Sequence, residues 1–399
     1  MHSQFYSAIQ DIGKDVWQAF EHHAYPFTRF EFLNALEQSN NKHTAACCTE
    51  SGWQPHHLII RDDNNEVVAG LPLYLKFHSY GEYIFDWAWA DAYQRNGLEY
   101  YPKLLAAIPF TPCTGPRVLL AKGIEFDKVL PIILKVVAKE SERLQLSSSH
   151  LLFNEQQVSE KLAKQGLMLR ESVQYHWFNR SFLKAGEQSY NNFTDFLGSF
   201  KSRKRKAVNR ERAQIKTEGL QIKRLRGEEI TTEIWQQFFR FYQITYAKRS
   251  GHGGYLPQNF FLELASMPDQ IMMTVAYREN ESQVVAAALY FYSHEALYGR
   301  YWGCTEETEF LHFELCYYQG IEFCIENQLQ RFDAGAQGEH KIQRGFIPVK
   351  TFSNHSITDP RFNEAITRFV KEERLHNSSY IKEVFRQLPY KEGVVAGIE

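Results

Sequence analysis

The sequence predicts an α/β fold built in layers. Three observations carry this. Short extended runs alternate with amphipathic stretches along the whole 399-residue chain, and polar turn clusters such as Asp62-Asp63-Asn64-Asn65 separate them. The composition, 44% hydrophobic and 23% charged, is that of a globular protein and argues against extensive disorder. The length accommodates two or three domains of ordinary size. Aromatic residues reach 15%, with 30 Phe and 22 Tyr, which implies large packed interfaces and an aromatic-lined cleft.

In chain order, Asp15 to Phe20 and Arg29 to Gln38 read as short helices, with Trp17 and Phe20, then Phe32, Leu33 and Leu36, on their apolar sides. His57 to Ile60 and Val67 to Phe77 read as strands, and Pro72 marks the second as an edge or bulged strand. Tyr83 to Trp89 is an aromatic apolar run. Leu98 to Ile108 presents Leu104, Leu105 and Ile108 on a helical face, and the segment from Pro109 to Pro116 turns the chain. A short extended run at Arg117 to Leu120, a helix at Asp127 to Lys139 and a strand near Leu144 to Leu146 follow. Glu155 to Lys164 reads as helical and Leu167 to Phe178 as extended.

The polar stretch Lys184 to Asn192 predicts a linker or domain junction. Beyond it, Phe193 to Phe200 and Lys201 to Lys216 read as helices and Leu220 to Leu225 as a strand. Glu228 to Tyr246 is a long helix with Ile234, Phe238, Phe241 and Thr245 on one side, and Pro257 opens another. Ile271 to Tyr277 and Val284 to Tyr292 pair around the turn 279–282, and Ala296 to Trp302 supplies the next strand. Leu311 to Leu329 is helical, and a last helix lies near Arg361 to Glu373.

The formal net charge of -2 does not describe a protein that blankets nucleic acid, although it leaves room for one basic feature. No basic flank precedes an apolar core at the N-terminus, and no apolar run approaches the ~18–20 residues that span a bilayer. The cytoplasm is therefore the expected compartment. The cysteines Cys47, Cys48, Cys113, Cys304, Cys316 and Cys324 form no CxxC pair, so neither a zinc framework nor any other metal site is expected. The adjacent His56 and His57 precede an apolar run and do not read as metal ligands.

Three segments carry chemistry. Residues 201–216 hold eight positive residues and one negative. Of these, Lys201, Arg203, Lys204, Arg205 and Arg210 are the candidate phosphate platform, and a solvated helical face is the plain alternative. No DNA reader is recognisable. Should nucleic acid bind, an RNA adaptor is the better fit. The helix from Leu311 places Glu314 in its first turn, near His312, where the helix dipole favours a carboxylate that could take a proton from an amine.

The densest run is Arg331 to Pro348, in which Gly335, Gly338 and Gly345 punctuate Asp333, Gln337, Glu339, His340, Lys341 and Arg344. Small residues there let backbone approach a ligand, Lys341 and Arg344 could hold an anion, and Glu339 or His340 could move a proton. Glu314 and Glu339 compete as the base, with His340 third. A polar hinge is the structural alternative. Neither GxGxxG nor GxxxxGK[ST] occurs.

The motifs Leu297 to Gly303, Leu311 to Phe323 and Arg331 to Pro348, together with residues 199–216, resemble a bacterial family of GNAT-like proteins related to peptidoglycan biosynthesis, and more broadly the FemAB-like aminoacyltransferases. The resemblance implies tandem GNAT-like acyl-CoA N-acyltransferase-type domains, here 1–184 and 185–399, each a mixed central sheet packed by helices. It implies transfer of an activated acyl group from acyl-CoA or aminoacyl-tRNA to an amine acceptor, such as a cell-envelope precursor. Catalysis would involve Glu314, Glu339 and His340, with Tyr301, Trp302, His312, Asp333 and Gln337 on the substrate. A transient location at the inner membrane surface would suit such a precursor. The R/QxxGxG/A pattern by which GNAT proteins bind pyrophosphate is not evident. The non-enzymatic alternative is an RNA-binding or precursor-binding protein on the same scaffold.

Overall fold

The structure is a computed structural model in which residues 1–20, 24–38, 45–183, 187–278, 283–336 and 338–395 are described. The expected turn 279–282, part of the expected junction 184–192 and the candidate Gln337 lie outside these residues. Two compact units form. One contains Met1–Ser172, Tyr255–Phe260 and Lys350–Asn377, and the other Val173–Gly254, Phe261–Val349 and Ser378–Glu399.

Strands of the first part of the chain are β1 His2–Tyr6, β2 Trp53–Pro55, β3 His57–Arg61, β4 Val67–Leu71, β5 Leu73–Lys76, β6 Lys103–Ala106, β7 Leu119–Leu120, β8 Ser148–Asn154 and β9 Met168–Phe178. Those that follow are β10 Leu220–Arg226, β11 Ile271–Arg278, β12 Val284–Tyr292, β13 Ala296–Cys304, β14 Arg331–Asp333 and β15 Ile347–Ile357. Strands β9 and β15 each contribute residues to both units.

In the first unit, Pro72 divides what the sequence presents as one extended run, because proline cannot donate to a ladder. On one side, β4 pairs with β3 in the antiparallel order β1-β3-β4-β7. On the other, β5 pairs with β2 and β6. Strand β6 runs parallel to β8, and such a pair needs a crossover; helix Phe126–Arg143 lies between them in the chain. That helix buries Val129, Leu130, Ile133 and Val137 in one cluster with Leu104, Ala106 and Leu151.

Two expectations fail here. Leu98 to Ile108 is not a helix. Every residue of β6 is buried, and a strand covered on both faces shows no period of two that would distinguish it from a buried helix. The strand expected at Leu144 to Leu146 begins instead at Ser148, after the helix end. Its polar residues hid it, yet all seven of its residues are buried.

In the second unit, β10, β11, β12 and β13 form an antiparallel meander, β13 and β14 pair in parallel, and β14 pairs antiparallel with β9. Gly303 on β13 lets helix Thr232–Ser250 pack closely, since a Cβ there would lie 2.2 Å from the carbonyl oxygen of Phe241. The register of β12 and β13 shifts at Leu289/Tyr290, so Leu289 faces Tyr301, Tyr290 faces Gly299, and Arg300 is the extra residue of a bulge. Strands β1, β2, β14 and β15 were not expected, and the final helix is longer than its apolar pattern suggests, Pro360–Gln387.

Candidate functional site

The site in the second unit starts from an irregular helix. Between Leu311–Phe313 and Gln319–Glu326 lies a π-helical segment, Glu314–Tyr318. Widening a helix this way displaces its i→i+4 bonds and leaves carbonyls to satisfy. The Leu315 carbonyl accepts from Thr274 Oγ1 at 3.1 Å and from the Tyr290 hydroxyl. The wider turn also stacks residues five apart, and Gln319 Nε2 donates to Glu314 Oε1 at 2.7 Å.

Glu314 is buried under Arg212, whose guanidinium donates to its two oxygens at 3.0 and 2.8 Å and to Glu322 at 2.6 Å. Both oxygens of this expected base are thus engaged by charge-assisted bonds. Arg212, counted in the basic run, faces inward.

The glycine-rich run is less of a loop than its composition suggests. It opens as β14, turns at Gly335 (φ +86°), enters the 3₁₀ turn Glu339–Arg344 after Gly338 (φ +114°), and passes Gly345 (φ +90°) into β15. All three glycines hold backbone conformations that side chains resist. At Gly338 a Cβ would also meet the His340 ring at 2.6 Å.

That turn, the π-segment and β13 bring rings together. His340 Nε2 and the Tyr317 hydroxyl lie 2.7 Å apart. The His340 ring is 5.8 Å from His312 and 5.7 Å from Phe313, and His312 is 5.1 Å from Trp302. His340 keeps one side exposed while its ring sits among these partners. Desolvation, with Arg344, Lys341 and Arg249 nearby, lowers its pKa to about 4. Burial, reinforced by His340 and Arg249, takes His312 down to about 3. Both imidazoles are neutral at physiological pH. Burial pushes the Cys316 and Tyr317 groups up, so neither is an anion.

The basic helix Ser202–Thr217 has two faces. Inward, both oxygens of Glu211 accept from the one Nη2 of Arg344 (2.9 and 2.8 Å), Glu211 also accepts from the Tyr318 hydroxyl, and Lys204 bonds Gln343. Arg344 in turn donates to the His340 carbonyl at 2.8 Å and lies 3.3 Å from the Phe313 ring centroid. The helix therefore clamps the 3₁₀ turn. Outward, Lys201, Arg203, Lys206 and Arg210 are exposed.

Other candidates separate from the cluster. Lys341 is buried and donates to the Gly335 carbonyl at 2.6 Å, so with Arg344 it braces the turn. Asp333 is buried, accepts from Gly335 N at 2.9 Å and lies 3.6 Å from His176. Burial pulls its carboxyl up, but His176, the Gly335 N–H and Arg300 outweigh this and hold it low. Glu339 is exposed and accepts from the Tyr380 hydroxyl at 2.6 Å. Tyr301 and Trp302 alternate to opposite faces of β13, and Tyr301 packs on Tyr242 and Phe261. Sequence reasoning missed Tyr317, Phe313 and Glu211. Glu211, the lone acid in a basic helix, was the available signal.

The sequence matches a family model described as FemAB-like, peptidoglycan biosynthesis/recognition, over residues 8–392. The chain belongs to the FemAB-like family. Among solved structures, FemX aligns with 92% of this chain and 100% of its own at 11% identity and a TM-score of 0.51. A protein of unknown function from Bacteroides thetaiotaomicron covers 89% and 100% at 10% identity and a TM-score of 0.49. A tandem GNAT protein from the clavulanic acid biosynthesis pathway covers 90% and 99% at 8% identity and a TM-score of 0.44. No curated protein matches in sequence. The FemAB-like chain thus has an α/β fold of mixed sheets and helices similar to that of FemX. Among the described residues no helix is long and apolar enough to cross a membrane, and no three His, Cys, Asp or Glu side chains group as a metal site.

Proposed function

We propose that this FemAB-like protein is an N-acyltransferase that moves an activated acyl or aminoacyl group to an amine, with a cell-envelope precursor as the acceptor class. The observation that carries the reading is the His340 cluster: an exposed, neutral imidazole joined to Tyr317 and flanked by His312, Phe313 and Trp302. With Nε2–H directed at the Tyr317 oxygen, Nδ1 keeps a lone pair for the incoming amine. The amine nitrogen bonds to the carbonyl carbon, the donor's C–O or C–S bond breaks, and the amine proton passes through His340 to the departing oxygen or sulfur.

Glu339 is the second candidate base, exposed on the same turn, while Glu314 serves as the anchor for Arg212. The outward cations of the basic helix favour a donor with a phosphate-rich end, acyl-CoA or aminoacyl-tRNA. A tandem arrangement of two GNAT-like domains is part of this proposal.

The test is a screen of labelled acyl-CoA and aminoacyl-tRNA donors against amine acceptors. H340A should abolish transfer in a folded protein, and Y317F should reduce it while donor binding persists. Unchanged turnover in H340A would reject the assignment. The internal bonding of Lys341 and Arg344 favours a second reading, a binding module on this scaffold. It predicts saturable ligand binding with no turnover for any donor.

A further inference from the structure

In the first unit, the segment from Phe77 to Trp87 sorts its side chains by chemistry. Phe77, Tyr80, Phe85 and Trp87 are each 40 to 56% exposed, whereas Ser79, Glu82 and Asp86 are buried. The Tyr80 and Trp87 rings lie 4.9 Å apart. Large aromatics grouped on the surface of one short segment call for a partner, because each exposes apolar area that folding would otherwise bury.

The buried side chains of the same segment converge on Lys103, itself fully buried. Its ammonium donates to Ser79 Oγ at 3.0 Å, to Glu82 Oε2 at 2.9 Å and to Asp86 Oδ2. An ammonium has three N–H donors, so Lys103 is saturated. The Tyr100 hydroxyl also donates to Asp86 Oδ2, at 2.7 Å. The other oxygens, Glu82 Oε1 and Asp86 Oδ1, are buried with no hydrogen-bond partner among the described residues. Two carboxyl groups share one saturated ammonium, which leaves two acceptors unanswered. Such acceptors are expensive to leave empty.

We propose that this centre is a binding site for a primary ammonium carried on an apolar stem. The ammonium would bond Glu82 Oε1 and Asp86 Oδ1, and the stem would lie against the aromatic side chains of residues 77–87. Aromatic faces beside carboxylate acceptors are the chemistry that selects ammonium over a neutral hydroxyl. A metal cation is the poorer occupant, since among the described residues no three His, Cys, Asp or Glu side chains group here. The inference does not rest on acyl transfer in the other unit.

The charge of the centre supports it. Burial raises Glu82 to about 7, and burial lowers the neighbouring Lys76 to about 7. Burial also raises Asp86, but Lys103 and His150 outweigh it and leave Asp86 at about 2, ionised. Of the other groups facing Lys76, Glu82 and Asp86, burial keeps His78 and His150 deprotonated and Cys47, Tyr100 and Tyr101 protonated, all neutral. As pH rises through 7, Glu82 and Lys76 each lose a proton. The set of Lys76, Glu82, Asp86 and Lys103 then passes from one net positive to one net negative charge, so an ammonium binds better on the alkaline side.

The experiment is a ligand-observed NMR titration of the full chain with hexylamine, with hexan-1-ol and heptanoate as controls of equal stem. Saturable hexylamine binding is expected, tighter at about pH 8 than at about pH 6, with the alcohol weaker and the acid absent. E82Q should weaken it about tenfold or more, as loss of a hydrogen bond to a charged group does. W87A, on the exposed side, should weaken it without affecting the fold. Equal binding of the alcohol would reduce the site to an apolar patch and overturn the proposal. So would unchanged affinity in folded E82Q, or in W87A should E82Q not fold. Absence of saturable amine binding would leave water as the occupant and overturn it too.

Discussion

The two units each gather ionisable side chains, but they gather them differently. In the first, Lys103, Glu82 and Asp86 are buried together and their charges depend on one another. In the second, His340 sits on an exposed turn, and the charges near it, Arg344 with Glu211 and Arg212 with Glu314, are already paired. The first arrangement puts stability at stake. The second separates a scaffold of closed ion pairs from one exposed imidazole.

That difference can be broken by mutation. K103M leaves two buried carboxylates without their cation and should cost ~3–5 kcal/mol in denaturant unfolding. A loss under 1 kcal/mol would show that solvent reaches the centre. E211Q should cost less, ~1–3 kcal/mol, because Arg344 keeps its bond to the His340 carbonyl. If the clamp matters for the site, transfer falls further than stability does. Equal activity to wild type would reduce Glu211 to a packing contact.

The pH dependence of stability sharpens the same contrast. Between about 4.5 and 7 the folded state holds a proton on Glu82 that the unfolded chain has released, so this group's stabilisation is lost as pH rises through 7. Between about 7 and 10.5 the unfolded chain holds a proton on Lys76 that the folded state lacks, so stability recovers with rising pH. Together they give a minimum near pH 7, and K76M should remove its alkaline limb. A flat profile in the wild type would contradict the burial of the pair.

The smallest effects belong to His340. H340A should change stability by only about 0.5 kcal/mol, as an exposed position does. In the wild type the imidazole should titrate near pH 4 by NMR and show no inflection between pH 6 and 8. A midpoint near 6.5 would mean the ring is free of its aromatic neighbours.

Much of the fold was legible in local pattern. Strands β10 to β13 and helices Phe126–Arg143, Ser202–Thr217 and Thr232–Ser250 follow from periodicity and turn residues. Strand β6 was not, because burial on both faces erases the alternation, and β8 was hidden by serine, histidine and asparagine. Part of their bonding is across the sheet, as between the Nδ1 atoms of His150 and His355 at 2.7 Å. The glycine-rich run was recognisable as unusual from its composition alone, yet which of its members point to solvent was not.

The sequence by itself determined most element types, the basic helix as an element and the clustering of glycines at 335, 338 and 345, since these depend on neighbours along the chain. Tertiary structure decided which charges are spent. Arg212 and Glu314 are 102 residues apart, and Arg344 and Glu211 are 133. Pairing at that distance depends on where the sheet and the helices set each side chain. No local spacing encodes it, and so a carboxylate that reads as a base becomes an anchor once the chain has folded.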